Sequence, residues 1–100
     1  MVPLIQCIDQ FYNPKMYNWL SFKNNCNVAV HVVFVPNVPG KGGSAMHLKP
    51  GQADSTGFSK KEVDARAGFS LAVCAEGYHP VEANGQYWTH ARETYSCKKD

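Results

Sequence analysis

Residues 26–35 constrain the fold of this chain more than any other part of its sequence. Six of these ten residues are β-branched or aromatic and none is glycine or proline, a composition typical of a β-strand. Side chains alternate between the two faces of a strand, and here both faces are largely apolar. One face carries Val28, Val30, Val32 and Phe34, and the other carries Ala29, His31, Val33 and Val35. Because both faces need to be covered, we expect this strand to be central in its sheet.

The length and charge of the chain limit its class. One hundred residues suffice for one domain with one modest core, so we expect residues 1–100 to form a single domain. A net charge of +2 is too small for the electrostatic affinity on which nucleic-acid binding depends, and we expect no nucleic-acid partner. No apolar run approaches the roughly 20 residues that cross a bilayer, so we expect no membrane span.

The cysteines indicate the compartment. Four of them, Cys7, Cys26, Cys74 and Cys97, are dispersed along the chain without a C-x-x-C pair. Zinc ribbons and thioredoxin-like redox sites need close pairs, so two disulfides are the better interpretation, with one disulfide or buried free thiols as alternatives. We expect Cys26 to pair with Cys74, because these two flank core strands, and Cys7 to pair with Cys97, because both lie near the chain ends.

Two disulfides predict an oxidising compartment, and we therefore expect a secreted or periplasmic protein. Residues 1–12 lack the basic start and uninterrupted apolar run of a signal peptide, so on this interpretation we expect a mature sequence with an added initiator Met. A cytosolic protein is the alternative.

Periodicity and turn residues predict the remaining elements. Strands are expected at residues 4–8, 17–23, 45–48, 55–58, 69–74, 80–83, 86–89 and 93–97. Lys49-Pro50-Gly51-Gln52 predicts a type II turn that returns residues 55–58 as the partner of residues 45–48. Ser59 and Glu62 form a capping box, which predicts a helical turn over residues 60–65. The whole pattern predicts an all-β fold, a small antiparallel β-sandwich or partly open barrel of about 7–9 short strands.

Asn84-Gly85 gives the clearest local signal, because this dipeptide favours a two-residue hairpin turn. The register that follows places Val81 opposite Trp88, Glu82 opposite Tyr87 and His79 opposite His90. If Trp88 packs inward, Tyr87 and Glu82 face outward together.

Four short motifs carry a resemblance to a known group of proteins. They are Asn24-Asn25-Cys26, Leu48-Lys49-Pro50-Gly51-Gln52, Ala72-Val73-Cys74 and Tyr95-Ser96-Cys97-Lys98. In this order they resemble the N-N-C, L-x-P-G-Q, A-C and C pattern of small secreted bacterial all-β domains. The resemblance covers residues 22–98 and implies an extracytoplasmic β fold. That group often has a further cysteine shortly after the first strand, and Cys7 is expected to take its role here.

Catalytic constellations are weak in this sequence. The chain has no G-x-S-x-G motif, and its carboxylates fall in turns, a helix and strand edges, so we expect no catalytic residue, no cofactor and no enzymatic activity. His79 and His90 are weak candidates for a metal pair, because opposite residues of a hairpin lie about 5 Å apart. A small hydrolase or metal-binding protein therefore remains an alternative.

A small β domain without catalytic residues presents its function on loops or an exposed face. We expect a non-enzymatic binding module whose partner is a protein, with a carbohydrate-binding module as the alternative. The first candidate binding residues are Tyr87, Glu82 and Asn84 of the hairpin. Val38 and Lys41, in the glycine-rich loop over residues 35–44, form the second candidate surface.

Overall fold

A computed structural model of the chain describes residues 4–38, 43–88 and 95–100. Eight strands are present in these ranges: β1 (Ile8–Asn13), β2 (Trp19–Asn24), β3 (Val30–Pro36), β4 (Ser44–Leu48), β5 (Ala53–Ser55), β6 (Phe69–Ala75), β7 (Tyr78–Val81) and β8 (Ser96–Lys99). One helical turn, α1 (Lys60–Ala65), and two 3-10 turns, Leu4–Cys7 and Pro14–Met16, complete the elements. The prediction of an all-β fold with one short helix is confirmed. No helix in the described ranges has the length and apolar character to cross a membrane.

The strands form three antiparallel sheets. The first sheet has the order β1-β2-β5, the second has the order β4-β3-β6, and the third pairs β7 with β8. None of these sheets closes into a barrel within the described residues. The predicted sandwich corresponds to the first two sheets, and the third is an addition to it.

The main core lies between the first and second sheets. Leu20 and Phe22 of β2 pack with Val30 and Val32 of β3, and none of the four exposes any measurable surface. Burying one such side chain contributes about 1.5–3 kcal/mol before conformational entropy is subtracted. Val63, the buried residue of α1, places the helical turn against the same core.

β3 is the central strand of the second sheet, as its two apolar faces predict, but it begins later than predicted. Residues 26–28 form a bend, and Val28 is exposed rather than directed into the core. The Asn24 side chain explains the difference. Its Nδ2 donates to the Val28 carbonyl oxygen at 2.9 Å and its Oδ1 accepts from the Cys26 N–H at 2.7 Å, so the backbone is held in a local turn instead of a strand ladder.

The opposite face of the second sheet is covered as well. Val35 and Ala72 on this face pack against Trp88 in a second, smaller cluster. The Tyr95 hydroxyl accepts a hydrogen bond from the Val73 N–H at 3.1 Å, which attaches the start of the C-terminal segment to β6. The domain therefore has a further layer beyond the predicted two-sheet sandwich.

The turn at residues 49–52 predicted that the next strand returns to pair with β4. This prediction was wrong, because β5 pairs with β2. The type II turn itself is confirmed: the Gln52 N–H donates to the Lys49 carbonyl oxygen at 2.9 Å, and Gly51 has φ 81°. However, the Gln52 carbonyl oxygen accepts from the Asn24 N–H at 2.9 Å, and Ser55 pairs with Ser21. The chain thus crosses from the second sheet to β2 in the first.

The N-terminal prediction was also wrong, whereas the helix prediction was right. Residues 4–7 form a 3-10 turn instead of a strand, and β1 follows from Ile8. In the capping box of α1, the Ser59 Oγ accepts from the Glu62 N–H at 3.3 Å and donates to Glu62 Oε1 at 3.1 Å. The helical turn then spans the predicted residues.

All four cysteines form disulfides, but the predicted pairing was wrong. Cys7 pairs with Cys26 and Cys74 with Cys97, with Cα–Cα distances of 5.1 Å and 5.7 Å. The β1–β2 hairpin sets Ile8 opposite Asn24, so Cys7 and Cys26 meet at its open end. Cys74 alternates with Val73, which faces the main core, and Cys74 therefore points away from Cys26.

Candidate binding surface

The hairpin after β7 differs from the predicted two-residue turn. The Gly85 N–H donates to the Glu82 carbonyl oxygen at 2.9 Å and the Glu82 N–H donates to the Gln86 carbonyl oxygen at 2.8 Å, so the loop has three residues. Only Gly85 takes a left-handed conformation (φ 86°), whereas a two-residue type I′ turn would also require one at Asn84. The Asn84 Oδ1 accepts instead from the Gln86 N–H at 3.0 Å, which stabilises the longer loop.

The longer loop shifts the register by one residue. Tyr87 lies opposite Val81, and the Trp88 N–H donates to the Pro80 carbonyl oxygen at 3.1 Å. The predicted Val81–Trp88 and Glu82–Tyr87 pairs are therefore wrong. Because a shift of one residue moves a side chain to the other face, Glu82 does not share the face of Tyr87.

The predicted directions of the two aromatic residues are nevertheless confirmed. Trp88 is 3% exposed and Tyr87 is 68% exposed. Trp88 packs inward against Val35 and Ala72, and its ring lies 5.9 Å from that of Tyr95. Tyr87 is thus free to contact a ligand, while its neighbour holds the hairpin to the domain.

Tyr87 lies on a histidine that is itself held by a carboxylate. The ring centroids of Tyr87 and His79 are 4.8 Å apart. His79 Nδ1 is 2.6 Å from Asp100 Oδ1, and because a carboxylate oxygen accepts, Nδ1 carries the proton in this bond. Lys98 lies opposite His79 on β8, so it belongs to the same face. We call Tyr87, His79, Lys98 and Asp100 the Tyr87 surface.

The Tyr87 surface carries side chains of both charges, Lys98 and Asp100. The His79 side chain is 17% exposed and the Asp100 side chain is 61% exposed, so the hydrogen bond between them lies at the boundary with solvent. An exposed amphipathic ring is thus bordered by a lysine and a carboxylate.

The other predicted site residues that the structure describes are Glu82, Asn84 and Val38, and none of them has a contact with the Tyr87 surface. Glu82 is half-buried, and its Oε1 has no hydrogen-bond partner among the described residues. Asn84 is exposed in the turn. Val38 is half-buried rather than an exposed apolar tip, and both Lys41 and His90 lie outside the described residues. The suggested His79–His90 metal pair therefore stays a prediction, and no group of three metal-ligating side chains occurs in the described ranges.

Sequence reasoning missed a second histidine pair. His31 and His47 lie opposite each other on β3 and β4, with ring centroids 4.5 Å apart and planes inclined by 14°. The lone pairs of nearly parallel rings do not converge, so this stack is not arranged to chelate one metal ion. His31 Nδ1 lies 3.2 Å from the Tyr78 carbonyl oxygen and joins the second sheet to the third. Pairing the two strands as neighbours in this register would have placed the two histidines opposite each other.

An aromatic contact at the start of β2 was missed as well. Tyr17, predicted to begin the second strand, lies before it in the connection and is 79% exposed. Its ring centroid is 5.0 Å from that of Trp19, and the rings are inclined by 45°. The neighbouring Asn18, a residue type that tolerates left-handed backbone, is the sequence signal for a turn here.

Comparisons of the chain with protein-family models, with curated proteins and with solved structures found no match.

Proposed function

We propose that this domain is a non-enzymatic binding module of an extracytoplasmic compartment, and that it contacts a protein partner through the Tyr87 surface. The compartment is supported by the disulfides, which involve all four cysteines and persist in oxidising environments. The motif resemblance to small secreted bacterial domains points to the same compartment.

One observation carries the binding proposal. Tyr87 is 68% exposed while the adjacent Trp88 is buried, so the hairpin presents one aromatic ring and anchors itself with the other. The ring of Tyr87 rests on His79, whose orientation Asp100 fixes, and so little conformational entropy is lost when a partner covers it. Tyrosine anchors of this kind are enriched among the residues that dominate binding energy in protein interfaces.

A random peptide library displayed on phage tests the proposal, because selected peptides favour the sites that bind proteins best. We expect enriched peptides to bind wild-type protein and to lose about tenfold or more in affinity for Tyr87→Ala, in line with the ~1–3 kcal/mol expected of an anchor. Tyr87→Phe keeps the ring and should lose less.

Tyr17→Ala is the matched control, since Tyr17 is equally a surface tyrosine but lies on another hairpin. Its affinity for the selected peptides should equal that of the wild type. The proposal fails if no peptide is enriched, or if the enriched peptides bind wild type and Tyr87→Ala alike.

A further inference from the structure

The two disulfides differ in how far solvent reaches their cysteines. Cys26 is 7% exposed and belongs to the main core, and Cys7 is half-buried and packs against the same core. Cys74 is completely buried, whereas its partner Cys97 in β8 is exposed. Thiol–disulfide exchange begins when a thiolate reaches one of the two sulfur atoms, so access limits its rate. Of the two bonds, Cys74–Cys97 is therefore the one that a dissolved thiol reaches more easily.

β8 depends on this bond for its attachment to the second sheet. All four residues of β8 are exposed, and none of them belongs to either core cluster. Among the described strands, β8 pairs only with β7. A two-stranded ladder is marginally stable without further support, and the disulfide provides support by joining Cys97 to Cys74 of β6. Tyr95, directly before β8, packs against Trp88, so cleavage of the bond should release the chain after Tyr95.

The released part of the chain carries two of the four residues of the Tyr87 surface. Lys98 lies opposite His79 in the ladder of β7 and β8. Asp100 Oδ1 lies 2.6 Å from His79 Nδ1 and holds the imidazole on which the Tyr87 ring lies. When β8 separates from β7, the surface loses both charged side chains, and His79 loses the carboxylate that orients it. Opening the disulfide therefore alters the support of the ring that we propose as the binding anchor.

We infer that the Cys74–Cys97 disulfide is a thiol-sensitive switch for the Tyr87 surface. A low-molecular-weight thiol such as glutathione opens it, while Cys7–Cys26 and the first two sheets stay intact. The effect on binding rests on the proposed function, whereas the selective opening of the bond does not.

The exchange takes two steps. The thiolate of the first thiol molecule attacks Cys97 Sγ and forms a mixed disulfide, and Cys74 leaves as a thiolate that takes up the proton lost by the attacking thiol. A second thiol molecule attacks the sulfur of the first, so that Cys97 becomes a free thiol and the two small molecules leave as one disulfide. The protein gains two electrons and two protons, and the two thiol molecules lose them.

Mass spectrometry of the whole chain measures the order in which the bonds open. The folded protein is incubated with reduced glutathione, and samples are quenched with acid, unfolded and labelled with N-ethylmaleimide before digestion. We expect Cys74 and Cys97 to become labelled or glutathionylated about tenfold or more faster than Cys7 and Cys26. In guanidinium chloride sufficient to unfold the chain, both bonds should open at similar rates, because the fold no longer shields either of them.

Hydrogen exchange and binding measure the consequence. After selective opening, the amides of β8 should exchange about tenfold or more faster, while those of β2 and β3 stay the most protected. Affinity for the phage-selected peptides should fall about tenfold, as in Tyr87→Ala, and should return when the bond is reoxidised. Cys74→Ala/Cys97→Ala is the matched control: it should bind these peptides weakly both with and without glutathione.

The switch and the proposed function fail in different ways. The inference is overturned if both bonds open at equal rates in the folded protein, if Cys7–Cys26 opens first, or if β8 keeps its protection after Cys74–Cys97 has opened. None of these measurements needs a peptide, so they test the switch even if no peptide is enriched. If peptides bind the oxidised and the selectively reduced protein alike but lose affinity for Tyr87→Ala, the proposed function stands and the switch does not.

Discussion

At the scale of single residues, Asn24 shows how one buried polar side chain can join distant parts of a chain. It is completely buried, and its Nδ2 donates to the carbonyl oxygens of both Val28 and Leu48 at 2.9 Å. Its backbone pairs with Gly51 and Gln52. Two of the four motifs in the sequence, N-N-C and L-K-P-G-Q, are thus parts of one hydrogen-bond network, which explains their residue types by structure rather than by ligand binding.

Replacing Asn24 with Ala should lower the free energy of unfolding by about 2–4 kcal/mol, because the Leu48 carbonyl and the Cys26 N–H would be left buried without partners. Urea denaturation measures the change. The control is Asn25→Ala, which removes one exposed hydrogen bond to Asp9 and should cost less than about 1 kcal/mol. Equal costs for the two variants would show that the buried network contributes little.

A second prediction at this scale concerns the backbone conformation of Tyr17. It depends on which of two variants, Tyr17→Gly or Tyr17→Ala, is the more stable, and less on how large the difference is. At an ordinary exposed position Ala is more stable than Gly by about 0.5–1 kcal/mol. At the left-handed Tyr17 the order should reverse, with Tyr17→Gly about 1 kcal/mol more stable than Tyr17→Ala. Thermal or urea unfolding of both variants gives the difference.

Lys61 in α1 supplies the matched pair for this comparison, because it is exposed in a right-handed helical turn. There Lys61→Ala should be the more stable of the two variants. If Ala exceeds Gly at position 17 too, the turn does not hold Tyr17 in a left-handed conformation.

At the scale of elements, the sequence predicted the structure correctly where residues close together in the chain determine the conformation. The capping box of Ser59 and Glu62 predicted α1 exactly as found, and Pro50-Gly51 predicted the type II turn. The alternation in residues 26–35 predicted a strand covered on both faces, and this strand forms from Val30 onward. Pairing was not predictable in the same way, because β5 chooses between the edges of β4 and β2, and that choice depends on residues distant in sequence.

The hairpin between β7 and Tyr87 shows how a strong local signal can still give the wrong register. Asn84-Gly85 favours both a two-residue and a three-residue loop, and the three-residue loop needs only one left-handed residue. Gly85→Ala should therefore cost about 1–2 kcal/mol through its positive φ alone, since a Cβ there would meet no other atom within 4 Å.

Asn84→Ala distinguishes the two loops. In the three-residue loop it removes one exposed hydrogen bond to Gln86, and it should cost about 0.5–1 kcal/mol. In a two-residue turn Asn84 would itself be left-handed, and Ala would cost as much there as at Gly85. Chemical denaturation of the two variants side by side decides between them.

At the scale of the whole molecule, the three layers depend on contacts that no local pattern contains. The two apolar faces of β3 implied that other residues cover the strand on both sides. They did not imply that Trp88, in a hairpin more than fifty residues later, covers one of these faces. The candidate binding surface could likewise be predicted only in part. The outward direction of Tyr87 followed from alternation, whereas its support by His79 and Asp100 depends on the pairing of β7 with β8.

Truncation of Trp88 should destabilise the domain far more than truncation of Tyr87. Trp88→Ala removes the centre of the second cluster and should destabilise the domain by about 3–5 kcal/mol. Tyr87→Ala removes an exposed ring and should cost about 1 kcal/mol or less. Urea unfolding of both variants provides the measurement, and a stable Trp88→Ala variant would show that the second cluster does not hold the third sheet.

The two disulfides are expected to act on different layers. Cys7–Cys26 closes the open end of the β1–β2 hairpin beside the main core, whereas Cys74–Cys97 ties β6 to β8. A tryptic digest without reduction checks the pairing first: it should join residues 1–15 to 24–41 and residues 67–92 to 93–98. A digest that joins residues 1–15 to 93–98 would restore the pairing of the chain ends.

Replacing one pair at a time with alanine should then separate global from local effects. The chain segments closed by the two bonds span 19 and 23 residues, so loop entropy predicts a similar loss of about 3 kcal/mol for each double variant.

Local opening should differ between the two double variants. In Cys74→Ala/Cys97→Ala, the amides of β8, which pairs only with β7 among the described strands, should lose hydrogen-exchange protection while those of β2 and β3 exchange near the new global limit. In Cys7→Ala/Cys26→Ala, β8 should keep its protection relative to the core, and the fastest exchange should shift to residues 4–9. Uniform loss across all three sheets in both variants would mean that the domain unfolds as a single unit and that the third sheet is not a separable layer.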